Sequence, residues 1–344
     1  MSEKITVITS SARGSDVYYR AFIFAKSLIK NGRKVSFIAT PFSGVLVFLY
    51  SVVKFIRIIF SSKTVVLFNP SIFDIVPFYI KKLTGARVIC DVWFPSSCFE
   101  RKTFTGNFFI KLSERITYSN KNIPILLKKN YGIKDNKLYN LKTGGNGFDI
   151  ACESNQTSKA PDVSLKTKKI LYAGCLDNIK VVDEVLEAFS IIGDYADDVV
   201  FVFAGSISFK NFLYVKQGMK NLGLSEKTVF KKNIDPCGFK KLVLESDIII
   251  DFLRNEKEDY FLERVFLREA INSGKSVVCT DAGELVLFKD YTYQTKPDQV
   301  LLVEALSGIF ANGPDGREKE GPFYIKENLD WIKIAASFLK ETGL

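Results

Sequence analysis

At 344 residues, 47% hydrophobic and 25% charged, the chain is long for one domain and comfortable for two soluble, globular ones. It contains no histidine, which removes imidazole as acid, base or metal ligand and excludes serine–histidine and cysteine–histidine hydrolases. The net charge of +10 is uneven: residues 1–150 hold 23 Lys+Arg and 8 Asp+Glu (+15), the remainder 25 and 30 (−5), so a half suited to nucleic acid, an anionic membrane or an acidic ligand precedes an acidic one.

The opening MSEKITVITSS carries an acid and no long apolar run; no secretory signal is read and a cytoplasmic location is expected. Continuous Val/Ile/Phe runs predict strands at Ile5–Thr9, Val35–Ala39, Thr64–Phe68, Arg87–Asp91, Lys169–Ala173, Val199–Ala204, Asp247–Phe252 and Ser276–Thr280. Helical periodicity lies between them, at Tyr18–Lys30, Ile110–Tyr118, Lys180–Ile192 and Phe239–Glu245. This alternation predicts α/β architecture with doubly wound parallel sheets. Ser43–Phe60 is the most apolar stretch, interrupted by Lys54 and Arg57 and too short to span a bilayer with tails. It reads as a crossover helix or as an interfacial helix whose cations meet lipid headgroups. The polar, aperiodic ACESNQTSKAPDVSLKT (151–167) reads as a linker between a domain over 1–150 and a second over 168–322. A closing helix is predicted from about Glu327 to Lys340, within a C-terminal stretch 323–344, with Trp331, Ile334, Ala335 and Phe338 at helical spacing. The six cysteines are scattered without close pairs, which predicts reduced thiols and neither a zinc site nor a disulfide framework.

Two phosphate motifs fail on inspection. The turn after the first strand, SSARGSDVYYR, has one glycine, Gly14, where a dinucleotide fold needs three. SGKS at 273–276 lacks the upstream glycine of a P-loop, Glu269 standing there, and leads into a strand instead of following one. A third stretch, KKILYAGCLDNIKVVDEVLEAF (168–189), is more informative. Gly174 leaves a bare turn between a buried strand and a helix, and Lys180 sets a cation in the helix's first turn, against its dipole. An anion beyond the strand ends would explain both.

The second half resembles the donor-binding domain of GT-B glycosyltransferases, within them glycosyltransferase family four. The segments that carry the resemblance are ILYAGCLDNIKVVDEVLEAF, VVFVFAGS (199–206), NLGLSEKTVFKKNID, FKKLVLESDIIIDFL and REAINSGKSVVCTDAGEL (268–285). In the first half, LIKNGRKVSFIATP and GGNGFD (144–149) resemble the family more loosely, with Arg33 where histidine is common. The resemblance implies two Rossmann-like domains facing across a cleft, with the C-terminal helix returning towards the first. It implies transfer of a sugar from a nucleotide diphosphate sugar, the only ligand expected and no separate cofactor, to a glycan or lipid-linked acceptor. Retention without a metal is expected; nucleic acid is not an expected partner, and membrane contact through the basic first domain is.

Carried over by residue, the resemblance places Lys180 on the donor diphosphate and Glu269 on the ribose, with Gly14, Gly174, Gly205, Ala282 and Gly283 lining the donor cleft. Glu269 alternatively reads as a polar position on a helix. Cys175 stands where an arginine usually pairs with the lysine, and Phe261 where the first of two glutamates would be. Arg13, Arg254 or Arg264 would have to restore the missing charge, and Arg264 is expected on the donor. Arg13 and Trp93 are expected on the acceptor side, though Trp93 also reads as core. An inverting reaction would need a carboxylate base, with Asp91 or Asp16 the candidates, although Asp91 alternatively caps a turn. Cys175 and Phe261 also admit a catalytically inactive binding or scaffold protein on the same fold.

Overall fold

The computed structural model describes residues 4–11, 15–39, 56–58, 60, 62–70, 74–92, 103–152, 167–196, 198–232, 234–252, 264–281 and 283–344. The chain forms two compact units, Met1–Ile150 with Leu329–Leu344, and Ala151–Tyr260 with Arg264–Asn328.

In the first unit the strands are β1 (Ile5–Thr9), β2 (Val35–Ala39), β3 (Thr64–Phe68), β4 (Arg87–Val92), β5 (Arg115–Tyr118) and β6 (Leu138–Asn140). All pair in parallel, in the order β2-β1-β3-β4-β5-β6. The middle strands β1 (ITVIT) and β3 (TVVLF) are buried at every residue, as strands covered on both faces must be. The helices are α1 (Asp16–Lys30), α2 (Ile75–Leu83), α3 (Phe104–Leu112), α4 (Ile123–Tyr131) and α5 (Gly147–Ala151). Ser15 starts α1 by accepting from the Tyr18 amide, with Asp16 and Lys30 at the dipole ends that suit their charges. Phe78 of α2, Phe109 and Ile110 of α3, and Ile123 and Leu127 of α4 close one core with Val65, Leu67, Val88 and Ile116 of the sheet.

In the second unit the strands are β7 (Lys168–Cys175), β8 (Val199–Ser206), β9 (Thr228–Lys232), β10 (Ile248–Asp251), β11 (Ser276–Thr280) and β12 (Tyr293–Thr295). They too are parallel, in the order β12-β11-β10-β7-β8-β9. The helices are α6 (Ile179–Tyr195), α7 (Phe209–Asn221), α8 (Pro236–Glu245), α9 (Val265–Asn272), α10 (Gln299–Asn312) and α11 (Gly321–Asn328). The apolar face of α6 (Val181, Val182, Val185, Leu186, Phe189, Ile192) packs with Phe201, Phe203, Ile248 and Ile250 of the strands.

The last helix, α12 (Trp331–Thr342), belongs to the first unit and packs on α1, with the Phe24 and Phe338 rings edge to face at 5.0 Å. Its start is fastened by the GGNG stretch. Asn146 accepts from the Trp331 amide through Oδ1 (2.9 Å) and donates to Asp330 through Nδ2 (3.1 Å), while the Gly145 amide donates to the Leu329 carbonyl. Gly144 lies under the Trp331 indole, where a Cβ would come within 2.5 Å of the ring.

Three expectations need correction. The helix predicted over Ile110–Tyr118 ends at Leu112, Ser113 turning back onto the Phe109 carbonyl, and Arg115–Tyr118 is β5. The closing helix is two, because Asp330 caps a new one with its carboxylate on the Ile332 and Lys333 amides. Cys152 and Cys237 form a disulfide, their Cα atoms 5.5 Å apart and 85 residues apart in sequence, so spacing gave no hint of it. The cysteines therefore no longer point to a reducing compartment. Cys90 and Cys279 are buried thiols. No helix among the described residues is long and apolar enough to cross a membrane; most of Ser43–Phe60 and all of 153–166 lie outside them.

Candidate functional site

Counted from β7, the second sheet has the order 3-2-1-4-5-6, and its direction of winding reverses between β7 and β10. Ligands of open parallel sheets bind beyond the carboxyl ends of the strands at such a reversal, where neighbouring crossovers diverge. Three observations converge on that edge.

First, Gly174 and Gly205 are register partners on β7 and β8, so two residues without side chains sit side by side at the sheet's carboxyl edge. Second, the chain leaves β7 through Asp177 and Asn178 and enters α6 with no side-chain cap at Asn178. The Ile179 amide donates to the Asp177 carbonyl (3.0 Å), which leaves the next first-turn N–H groups of α6 open towards the edge. Asp177 itself braces the turn, accepting from the Ser208 amide (2.9 Å) and Asn211 Nδ2 (2.8 Å) at the start of α7. Third, Lys180 is exposed in that first turn and makes no ion pair among the described residues. Bare backbone, open N–H groups and one ammonium are the features by which a chain can hold an anion the size of a phosphate.

Across the reversal, β10 ends in Asp251 and α9 begins after Arg264. Arg264 donates through Nε to Asp251 Oδ2 (3.0 Å), and its Nη2 lies 2.7 Å from Oδ1; both residues are buried. The expected second cation is therefore at the edge with a counter-ion, and the pair carries no net charge to replace the arginine that Cys175 displaces. Glu269 lies on α9, as the alternative reading of a polar helix position has it, and is 1% exposed. Gly283 opens the 3-10 turn Gly283–Phe288 after β11. Gly14, Arg13, Trp93, Ala282, Arg254 and Phe261 lie outside the described residues.

In the first unit the reversal falls between β1 and β3. There Ser10 donates to Asp74, and Asn69 donates through Nδ2 to Ser11 (3.0 Å). Asn69 holds φ at 48°, a left-handed conformation that asparagine tolerates better than most residues, and Asp74 is 1% exposed. Sequence reading missed this polar group. Its signals were two serines directly after a strand and an Asn-Pro turn after another. Asp16 lies in the first turn of α1.

Asp91, expected as a base, is instead the counter-ion of a buried arginine. Both Asp91 and Arg20 have 0% exposure, with Nε 3.2 Å from Oδ2 and Nη2 3.3 Å from Oδ1. Thr117 donates to Asp91 at 2.6 Å, while Arg20 also donates to the Leu141 carbonyl (2.6 Å) and to Thr143. The guanidinium lies about midway between the Phe68 and Trp331 rings, 6.0 and 5.9 Å from their centroids. A carboxylate held this way accepts from its own protein, and its role is to tie α1 to β4 and β5 and to the segment after β6.

No family model matches the chain, and no curated protein matches it in sequence. Solved structures do match along its whole length. A glycosyltransferase from Rickettsia africae ESF-5 aligns with a TM-score of 0.65 at 18% identity, covering 98% of this chain and 97% of that one. HepE from Anabaena, in complex with UDP and glucose, aligns at 0.69 and 12% over 100% of both chains. A UDP-N-acetylglucosamine 2-epimerase aligns at 0.59 and 12%, covering 100% and 97%. At identities this low the likeness is one of fold, and that fold is GT-B, two doubly wound Rossmann-like domains in one chain.

Proposed function

We propose that this chain is a glycosyltransferase of GT-B architecture that takes its sugar from a nucleotide diphosphate sugar held at the β7–β10 reversal. The observation that carries the reading is the side-chain-free Gly174–Gly205 pair beside a first turn of α6 that Asn178 does not cap and Lys180, which has no ion pair among the described residues. Lys180 and the α6 N–H groups take the diphosphate, and Glu269 takes the ribose. HepE, similar in fold and solved in complex with UDP and glucose, supports a donor of this class.

The reaction proposed is transfer with retention and without a metal. The bond between the sugar and the diphosphate breaks as an acceptor hydroxyl approaches from the same face. A departing phosphate oxygen takes the hydroxyl proton, and Lys180 steadies the developing charge. The buried Asp91 supports this choice over inversion, since it leaves Asp16 as the remaining candidate base. The acceptor is proposed to be a glycan or lipid-linked molecule bound by the first unit. The neutral Arg264–Asp251 pair favours a second reading, in which the fold binds a donor weakly and serves as a scaffold.

The test is a thermal-shift panel on wild type and Lys180→Ala with uridine, guanosine and adenosine diphosphates and their sugar conjugates. A ligand at ~100 times its dissociation constant adds about 2.7 kcal/mol to folding. The expected result is a shift with one nucleotide series, reduced in the variant. No shift with any of them sinks the donor site, and a bound donor that is never turned over supports the scaffold.

A further inference from the structure

Among the described residues, the helices that follow β3 and β4 leave an apolar, basic surface uncovered. On α2, Val76 (57%), Tyr79 (52%) and Leu83 (71%) are exposed at i, i+3 and i+7, one stripe of a helix whose other side buries Phe78. On the adjacent α3, Phe104 is 75% exposed, and Phe108, one turn on, meets Tyr79 at 6.3 Å between ring centroids. The two stripes are therefore continuous. A helix placed only to cover a sheet has no need of an outer apolar row, and its exposure costs solubility.

Among the described residues, the unpaired charges beside the stripe are positive. Lys82 and Lys111 are exposed beside it, and Lys137 reaches in to donate to the Ile110 carbonyl at 2.5 Å. Burial first, and then the Lys82 ammonium, pull Lys137 below the ordinary lysine range, which shows two cations sharing one field. The acids described between residues 56 and 137 do not offset them: Glu114 pairs with Arg87, Asp135 with Lys128, and Asp74 and Asp91 are buried.

We propose that this α2–α3 face seats the first unit on an anionic lipid bilayer, Val76, Tyr79, Leu83 and Phe104 entering the headgroup layer and Lys82, Lys111 and Lys137 meeting its phosphates. This face is distinct from Ser43–Phe60, whose expected membrane contact lies mostly outside the described residues. Both helices join neighbouring parallel strands, so their N-terminal ends, with Val76 and Phe104, lie at the carboxyl end of the sheet. A lipid-carried acceptor would arrive at that end, and this consequence, unlike the docking itself, rests on the glycosyltransferase reading.

The experiment is co-sedimentation of the full chain with phosphatidylcholine vesicles, with and without a minority of phosphatidylglycerol, over a salt series. The chain is expected to bind the anionic vesicles, more weakly as salt rises. Lys82→Gln with Lys111→Gln should lower affinity roughly twentyfold, and Tyr79→Ser with Leu83→Ser by at least about tenfold. Phe209→Ser with Leu213→Ser, an equally exposed apolar pair on α7, should leave binding unchanged. Circular dichroism melts confirm that each variant folds. No binding to anionic vesicles, binding equal in all variants, loss only in the α7 variant, or capture of RNA in place of vesicles would each overturn the proposal. Nucleotide thermal shifts on the same samples separate it from the donor site: vesicle binding without any nucleotide shift keeps the docking face and sinks the donor site, and the reverse does the opposite.

Discussion

Arg20 and Asp91 show how far one residue's surroundings decide its role. A carboxylate after a buried strand is a reasonable base on sequence grounds, yet its partner comes from 71 positions earlier and is equally buried. Removing one member leaves a charge in a dry interior, so Arg20→Met is expected to cost about 3–5 kcal/mol in urea unfolding. Arg20→Met with Asp91→Leu should recover much of that loss, and a double variant no better than the single one would contradict the pairing. Asp315 illustrates the exposed case. The Arg317 guanidinium, bonded to its carboxylate at 2.6–3.0 Å, holds its pKa at about 2 against an ordinary 3.8. A depressed carboxylate contributes stability above its unfolded pKa and loses it as pH falls towards 2. Carbon-detected NMR should find Asp315 titrating near 2 in wild type and moving back up in Arg317→Ala. An unmoved midpoint would deny the bond. Such pairs are hard to see in a sequence when their members come from different elements; Gly174 and Lys180 were visible because they stand six positions apart in one strand–turn–helix unit.

At the level of elements, the strands readable in advance carry continuous apolar runs, most of them buried, with the edge strand β2 the least so; of those missed, β6, β9 and β12 are sheet edges. β9 is an edge strand whose Val229, Lys231 and Lys232 are exposed, so it lacks the apolar run that marked the others, and β12 has three residues. β5 was absorbed into a helix because Ile110–Tyr118 keeps a plausible helical period across the Ser113 stop. The break before α12 was hidden likewise, since Trp331 and Phe338 continue a helical spacing begun upstream. What the GGNG stretch does became clear only in three dimensions. Gly144→Ala forces a methyl group against the buried Trp331 ring, and it should cost about 1–3 kcal/mol with a shift in tryptophan emission. A neutral Gly144→Ala would mean that α12 is not seated on this segment. β11 offers a chemical check on its burial. Burial pushes the Cys279 thiol up to about 12, so it should resist alkylation at pH 8 until the chain is unfolded.

Over the whole molecule, two units with separate cores should unfold as two events; the disulfide belongs to the second, where the donor site is also proposed. Cys152 and Cys237 close a loop of 85 residues that includes β7, α6 and β8. Closing a loop of that length removes chain entropy from the unfolded state, and the typical stabilisation is about 2–4 kcal/mol. Calorimetry of the oxidised chain is therefore expected to show two transitions. Dithiothreitol, or Cys237→Ser, should lower one of them and leave the other in place. A nucleotide diphosphate should raise that same transition, because in the proposed site the diphosphate is held by β7 and α6 of the second unit. If reduction and nucleotide move different transitions, the loop and the donor site do not share a cooperative unit, and the assignment of the nucleotide to the second sheet is wrong. If they move the same one in opposite directions, the division of labour suggested by the charge split holds at the level of folding: the acidic half binds the donor, and the basic half is left free for the acceptor and the surface that carries it.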